Sequence, residues 1–520
     1  MKSAKVQLTR AGKLSFVRMS ALCMLIVVAT GAIYLVSTKE KSRPATHGGL
    51  NPLQPSALLT TVGHQNESAK ARPAVSKLSL VSCAACHGTR SSRDNQDDQN
   101  NWKSAYQIWA RRDPHSSAYV SLWNERSKQI VAALATIRSK NPAAVRSPIS
   151  DQHAYQKILN ERCVSCHSTA SVVMPSLPGK EQNPLDAGLL LSGGVSCLSC
   201  HSNNNGDSIR QQAWVSAHTL EGWSTKNTVE KAAMGLQDLS LHSARVQTCL
   251  KCHLGAPGQE VNHDLIAAGH PRLVFEYSSH LARLPKHWQE NTLPDFHKDC
   301  WSIGQIEAAM SSLKQLSRRS QAAVSRFDSS DGHLEVHPLS SWPEFSEYNC
   351  HNCHHDLQTS WYQKNNDAFF AQPAWGTWAF PRHLKFEALA ADLATVREEM
   401  ENPVPDAKNI LLATKNLESL IASNTQQISR NELIYSYLRK EPRLNWDELF
   451  SWYLAAACVA RDMASAQETK HDLAVVALID LKVVLDRPFQ ANASRDSAQF
   501  TASEIYEKIS RVRTLVLPDE

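Results

Sequence analysis

The sequence lacks the excess of one charge that nucleic-acid-binding proteins carry. Its 520 residues contain 55 Lys and Arg against 50 Asp and Glu, which gives a formal net charge of +5. Five basic residues ahead of the first apolar segment account for all of this charge, so the rest of the chain is neutral. Nothing in this balance argues for nucleic acid as a partner.

Cysteines for a disulfide framework are also missing. Ten of the 13 cysteines belong to five short repeats, and only Cys23, Cys300 and Cys458 are left. A single bridge between Cys300 and Cys458 is one alternative, but two separate buried thiols are the simpler interpretation. Strand signals are few as well, and recurring apolar residues at helical spacing predict a mainly α fold.

What the sequence does contain is five Cys-x-x-Cys-His repeats. Two thiols at this spacing add to the two vinyl groups of one porphyrin, and the adjacent histidine offers a nitrogen to the iron. A zinc site needs a second ligand pair close by, and a thioredoxin-type pair needs a βαβ frame; the repeats have neither. We therefore predict five covalently bound haem c groups. Their attachment residues are Cys83, Cys86, Cys163, Cys166, Cys197, Cys200, Cys249, Cys252, Cys350 and Cys353, and their proximal iron ligands are His87, His167, His201, His253 and His354.

The N-terminal region predicts a membrane anchor. Haem attachment to this motif takes place outside the cytoplasm, and residues 19–37 carry no charge and span about 28 Å as a helix. We expect a cytoplasmic basic segment at 1–18, a transmembrane signal anchor at 19–37 in the bacterial inner membrane, and a disordered tether at 38–80. The bulk of the chain then lies in the periplasm. A cleaved signal peptide is the alternative.

The remainder divides by pattern into two parts. Residues 81–360 carry all five repeats and predict a pentahaem cytochrome c domain in which stacked haems form the core. Residues 361–520 carry no repeat and predict a helical domain, with an antiparallel bundle over 385–516. Its signals are capping boxes at Asn445 with Glu448 and at Thr501 with Glu504, and apolar faces at helical spacing: Phe386, Leu389, Leu393 and Val396; Leu449, Trp452, Tyr453 and Ala456; Ile505, Ile509 and Val512; and Leu473, Val476, Ala477, Val483 and Val484.

A haem iron held by two histidines needs a second imidazole from outside the repeats. The best candidates are His115, His218, His263 and His270. If 262–271 is helical, His263 and His270 lie on one face, about 10.5 Å apart, and serve two irons. Four further histidines are weaker candidates: His242, His280, His287 and His297.

The first four repeats and their surroundings resemble the tetrahaem cytochrome c-554 family, which is related to hydroxylamine oxidoreductase and accepts electrons from it. The resemblance covers about 80–280 and rests on the order of the motifs, on His115-Ser-Ser-Ala after the first and on Gly194-Val-Ser before the third. The stretch Ala267-Ala-Gly-His-Pro-Arg after the fourth resembles one in larger multihaem relatives of this group. It implies closely stacked haems in a mostly helical fold. By position it implies that His115, His218 and one histidine of 263–270 are distal ligands. It also implies that the iron of the second motif lacks a sixth protein ligand.

The chain differs from that family in its fifth motif, its anchor and its long C-terminal region.

The sequence leaves two candidate functions. The favoured one is electron transfer between redox partners through stacked haems. The alternative is an oxidoreductase acting on a small nitrogen or sulfur compound at one five-coordinate haem, with the haem of His167 as the candidate. No Cys-x-x-Cys-Lys motif of the kind found in nitrite reductases occurs. Quinol oxidation at the membrane is a third possibility, which the long tether weakens. Five haems add about five negative charges, which favours a basic or neutral redox partner.

Overall fold

The structure is a computed structural model that describes residues 80–88, 101–138, 152–169, 193–202, 213–290, 294–328, 342–348, 350, 375, 389–424, 430–442, 446–464, 467–486 and 501–518. This part of the chain is mainly helical, at 74%, and contains no strand, which confirms the prediction of a mainly α fold. All of it belongs to one compact unit, Arg72–Glu520. The predicted basic segment, the anchor and all but the last residue of the tether lie outside the described residues. None of the described helices is both long enough and apolar enough to cross a bilayer.

The first half of the described chain is built from short helices. In order, these are α1 (Leu80–His87), α2 (Ala105–Arg112), α3 (Glu125–Arg138), α4 (Gln152–Arg162), α5 (Val164–His167), α6 (Cys197–His201), α7 (Ala213–Ala217), α8 (Thr228–Ala233), α9 (His242–His253), α10 (His263–Ala267) and α11 (Tyr277–Arg283). Single 3₁₀ turns cover Asn101–Ser104, Pro114–Ser117 and Val120–Trp123. Small groups of buried apolar side chains lie between these helices instead of one continuous core.

Each of the four repeats that the structure describes in full lies at a helix C-terminus. The motif histidine is the last residue of α1, α5, α6 and α9. After α5 and α6 the next residue, Ser168 or Ser202, is extended and stops the helix. The helical turn brings the two cysteines of a repeat onto one side, three residues apart, with the histidine beside them.

The expectation that His263 and His270 share one helical face is wrong. Helix α10 begins with Asn262 as its N-cap and already ends at Ala267. Gly269 then adopts a positive φ of 108°, a conformation that glycine reaches without steric cost. The chain therefore turns before His270, and the two imidazoles belong to different local structures.

A long helix, α12 (Phe296–Asp328), connects the two parts of the fold. Its 33 residues span about 50 Å, and it packs against α9 and α11 on the side of the repeats. At the crossing with α11, Gly304 allows close approach, since a Cβ atom there would lie 2.7 Å from the Cβ of Tyr277. From Trp301 onward α12 also contributes to the core of the C-terminal helices.

The C-terminal helices share one extensive apolar core with α12. They are α13 (Ala390–Met400), α14 (Ala407–Asn424), α15 (Arg430–Arg439), α16 (Trp446–Met463), α17 (Glu468–Asp486) and α18 (Ala502–Val516). The capping box at Thr501 and Glu504 is confirmed. Most of the apolar positions that predicted α13, α16 and α18 are buried. Phe386 and Asn445 lie outside the described residues. The core that these helices share begins well before residue 361, where the predicted division falls.

The apolar face predicted for α17 is only partly right. Ala477 and Val484 are buried, but Leu473, Val476 and Val483 are exposed. The buried face also includes Ala474, Leu478, Leu481 and Leu485. Because α17 is apolar around most of its circumference, the spacing of its apolar residues does not single out one face.

The two cysteines outside the repeats are separate. Cys300 and Cys458 are both buried and unbridged. The Sγ of Cys300 lies 3.8 Å from the Nδ1 of His242, whereas that of Cys458 lies 3.9 Å from a carboxylate oxygen of Glu276. The interpretation as two independent buried thiols is confirmed.

Candidate haem centres

The structure brings the cysteines of different repeats together in two pairs. The thiol of Cys197 hydrogen-bonds to Cys83, which lowers the pKa of Cys83 to about 7. In the same way a hydrogen bond from Cys252 lowers the pKa of Cys166. The first repeat is therefore next to the third, and the second is next to the fourth.

A second imidazole lies close to each of the four described motif histidines. In each case it comes from a histidine outside the repeats. The pairs and the distances between their ring centres are His87 with His218, 6.4 Å; His167 with His270, 6.4 Å; His201 with His287, 6.0 Å; and His253 with His115, 6.1 Å.

These distances can be compared with the geometry of a haem iron that carries two histidines. With iron–nitrogen bonds of about 2.0 Å and ring centres about 1.15 Å beyond the nitrogens, two imidazoles on opposite faces have centres about 6.3 Å apart. The observed range of 6.0–6.4 Å agrees with this value. The spacing of the paired rings therefore fits four haems that each carry two histidines.

Hydrogen bonds hold several of these rings by their Nδ1 atoms. The Nδ1–H of His87 donates to the carbonyl of Trp102 at 2.8 Å, and that of His167 donates to Ala118 at 2.9 Å. His218 and His270 donate to backbone carbonyls in the same way, at 2.6 and 2.8 Å. A carbonyl only accepts, so the proton is on Nδ1, and Nε2 is left as the nitrogen that can bind a metal.

His115 is held by a stronger acceptor. Its Nδ1 donates to the carboxylate of Asp113 at 2.8 Å, and its backbone N–H donates to the same oxygen at 3.0 Å. Burial acts to raise the pKa of Asp113, but the hydrogen bond and the charge of His115 outweigh it and the pKa is lowered. Asp113 therefore stays ionised next to this imidazole.

Burial also favours the neutral form of four of these paired histidines. Removal from solvent lowers the pKa of His201 and of His253 to about 4. Burial is likewise the main cause of the lowered pKa of His270 and His287. A neutral imidazole can coordinate iron without first losing a proton.

Sequence reasoning ranked these histidines imperfectly. Of the four best candidates, His115, His218 and His270 face motif histidines, whereas His263 packs on Phe345, with ring centres 5.7 Å apart, and donates its backbone N–H to Glu344. His287, one of the four weaker candidates, faces His201. The ring centres of His280 and His253 are 5.3 Å apart, which is shorter than the spacing expected for two imidazoles bound to one iron. His242 and His297 bond instead to Tyr277 and Ser278.

The fifth repeat is described only at Cys350, and Cys353 and His354 lie outside the described residues. Across the described part of the chain, no group of three or more His, Cys, Asp or Glu side chains is arranged to hold a metal ion by itself. Comparisons with protein-family models, with curated proteins and with solved structures return no match for this chain.

Proposed function

We propose that this protein is a membrane-anchored periplasmic c-type cytochrome with five haems, which transfers electrons between redox partners. Its haem domain covers 81–360, and a C-terminal helical bundle follows. The observation that carries the proposal is the pairing of each described motif histidine with a second imidazole at 6.0–6.4 Å. An iron with a histidine on each side has no open position for a substrate but can still exchange an electron.

The protein side chains serve this function by holding their positions. Haem c, when bound, supplies reversible one-electron chemistry. The Nδ1 hydrogen bonds of His87, His167, His218 and His270 orient the rings in both oxidation states, so little has to move. The contacts between Cys83 and Cys197 and between Cys166 and Cys252 bring attachment points of different repeats side by side. Neighbouring attachment points favour transfer from one haem to the next.

Catalysis at an open iron has less support. The candidate for it was the haem of the second motif, but His270 lies opposite His167 there. For the fifth haem, His263 stays the predicted sixth ligand; its backbone N–H donates to Glu344 and its ring packs on Phe345, in the segment that leads into Cys350. The partners expected are a donor and an acceptor protein of basic or neutral surface.

The oxidised full-length protein, matured in a host that attaches haem c, is expected to show only low-spin ferric signals in electron paramagnetic resonance. It should bind neither cyanide nor nitric oxide, and a pyridine haemochrome assay should give five haems per chain. A high-spin signal in the native protein would favour the catalytic alternative. Absence of covalent haem would remove both functions.

A change at Asp113 should alter the reduction potential of one haem. Asp113→Asn keeps an oxygen that can accept the hydrogen bond of His115 but removes the negative charge that makes this imidazole a stronger electron donor. The haem held by His115 should become easier to reduce, which a spectroscopic redox titration measures. Asp238→Asn, which alters an exposed carboxylate bonded to Ser240, is the control. Equal titration curves for the native protein and both variants would contradict the role of Asp113.

A further inference from the structure

Arg272 lies between the fifth repeat and the C-terminal helices. Its Nη1 is 3.4 Å from the Sγ of Cys350. The same guanidinium pairs with Asp447 of α16 through both carboxylate oxygens, and it lies over the ring of Trp446, 5.9 Å from the ring centre. The Arg272 side chain therefore contacts both Cys350 and α16, a helix that begins almost a hundred residues after Cys350.

Both members of this pair are removed from solvent. The side chain of Asp447 is 2% exposed and that of Arg272 is 15% exposed. Arginine does not lose its proton in proteins, and the Arg272 guanidinium pairs with the Asp447 carboxylate. Asp447 is thus a buried counter-charge to a permanent cation beside Cys350.

A charge at this position would act directly on a haem attached at Cys350. A thioether bond would join that sulfur to the edge of the porphyrin, and Arg272 lies 3.4 Å from the sulfur. Little solvent is present to screen it. A net positive charge there favours the ferrous state, and a neighbouring carboxylate offsets that effect.

We propose that Arg272 and Asp447 together set the reduction potential of the fifth haem, and that the C-terminal helices contribute this counter-charge to the haem domain. The inference rests on the proposed function, since it requires a haem at Cys350. It assigns both residues a tuning role and places neither in contact with a substrate.

The test is a spectroscopic redox titration of the full-length protein with all its haems attached. Asp447→Asn should shift the midpoint potential of one haem to more positive values and leave the other four unchanged. Arg272→Gln should shift the same haem in the opposite direction, while Arg272→Lys, which keeps the charge, should leave it close to the native value. In a background that also carries Cys350→Ala and Cys353→Ala, the shifted transition should be missing.

Asp480→Asn is the matched control, because it removes a carboxylate of the same helical region that pairs with Lys508. Its titration should match that of the native protein. Five attached haems with unchanged potentials in Asp447→Asn, or shifts equal to those of Asp480→Asn, would overturn the inference and leave the proposed function intact. Loss of all covalent haem from the native protein would instead refute the function. If Asp447→Asn does not mature, the comparison of Arg272→Gln with Arg272→Lys decides, and equal potentials for these two variants overturn the inference.

Discussion

The His270→Ala protein is expected to contain one high-spin ferric haem where the native protein contains none. The ring of His270 lies 6.4 Å from that of His167 and is held through Nδ1 by the carbonyl of Pro271. Its removal leaves one side of the second iron without an imidazole, while the cysteines and His167 still hold the haem. We expect one in five haems to change spin state and to bind cyanide.

Electron paramagnetic resonance of the oxidised variant, together with a cyanide titration, measures this change. The control is His471→Ala in α17. The ring of His471 also donates through Nδ1 to a backbone carbonyl, that of Ala460, at the same distance of 2.8 Å, but it lies in the C-terminal helices. A low-spin spectrum for His270→Ala, with all five haems attached, would show that His270 is not the sixth ligand.

Leu417→Ala is expected to destabilise the protein by about 2–5 kcal/mol, because it removes a large apolar side chain from a packed core and leaves a cavity. Leu417 is fully buried in α14 and belongs to the core that α12 and the C-terminal helices share. Guanidinium unfolding followed by far-ultraviolet circular dichroism should show a lower midpoint with an unchanged slope. The haem content should stay at its native value.

Leu412→Ala is the matched control for this substitution. It makes the same chemical change in the same helix, at a side chain that is 64% exposed. Its free energy of unfolding should stay within about 0.5 kcal/mol of the native value. Equal losses in the two variants would mean that the packing of α14 against α12 contributes little to stability.

Local chemistry was predictable from the sequence. The five repeats require no knowledge of the fold, since the spacing of two cysteines and a histidine is a property of neighbouring residues. The same is true of the capping box at Thr501 and Glu504, which involves residues three apart. The mainly helical class followed from the spacing of apolar residues. Where a helix is apolar on most sides, as α17 is, that spacing did not show which side is buried.

The pairing of the histidines was decided by tertiary structure. His87 and His218, or His201 and His287, come from separate elements, and no local rule joins them. The short α10 and the turn at Gly269 separate His263 from His270, although their spacing fits one helical face. The pairing of Arg272 with Asp447 likewise joins residues far apart in the chain.

The sequence by itself therefore determined how many Cys-x-x-Cys-His repeats the chain has, where their histidines lie, and that the fold is helical. Only the tertiary structure decided which imidazole faces which motif histidine and which charge lies beside Cys350. The physical reason is the range of each interaction. Covalent attachment and helix capping act between neighbours in sequence, whereas a second axial ligand and a buried counter-charge are brought into place only when distant helices pack together.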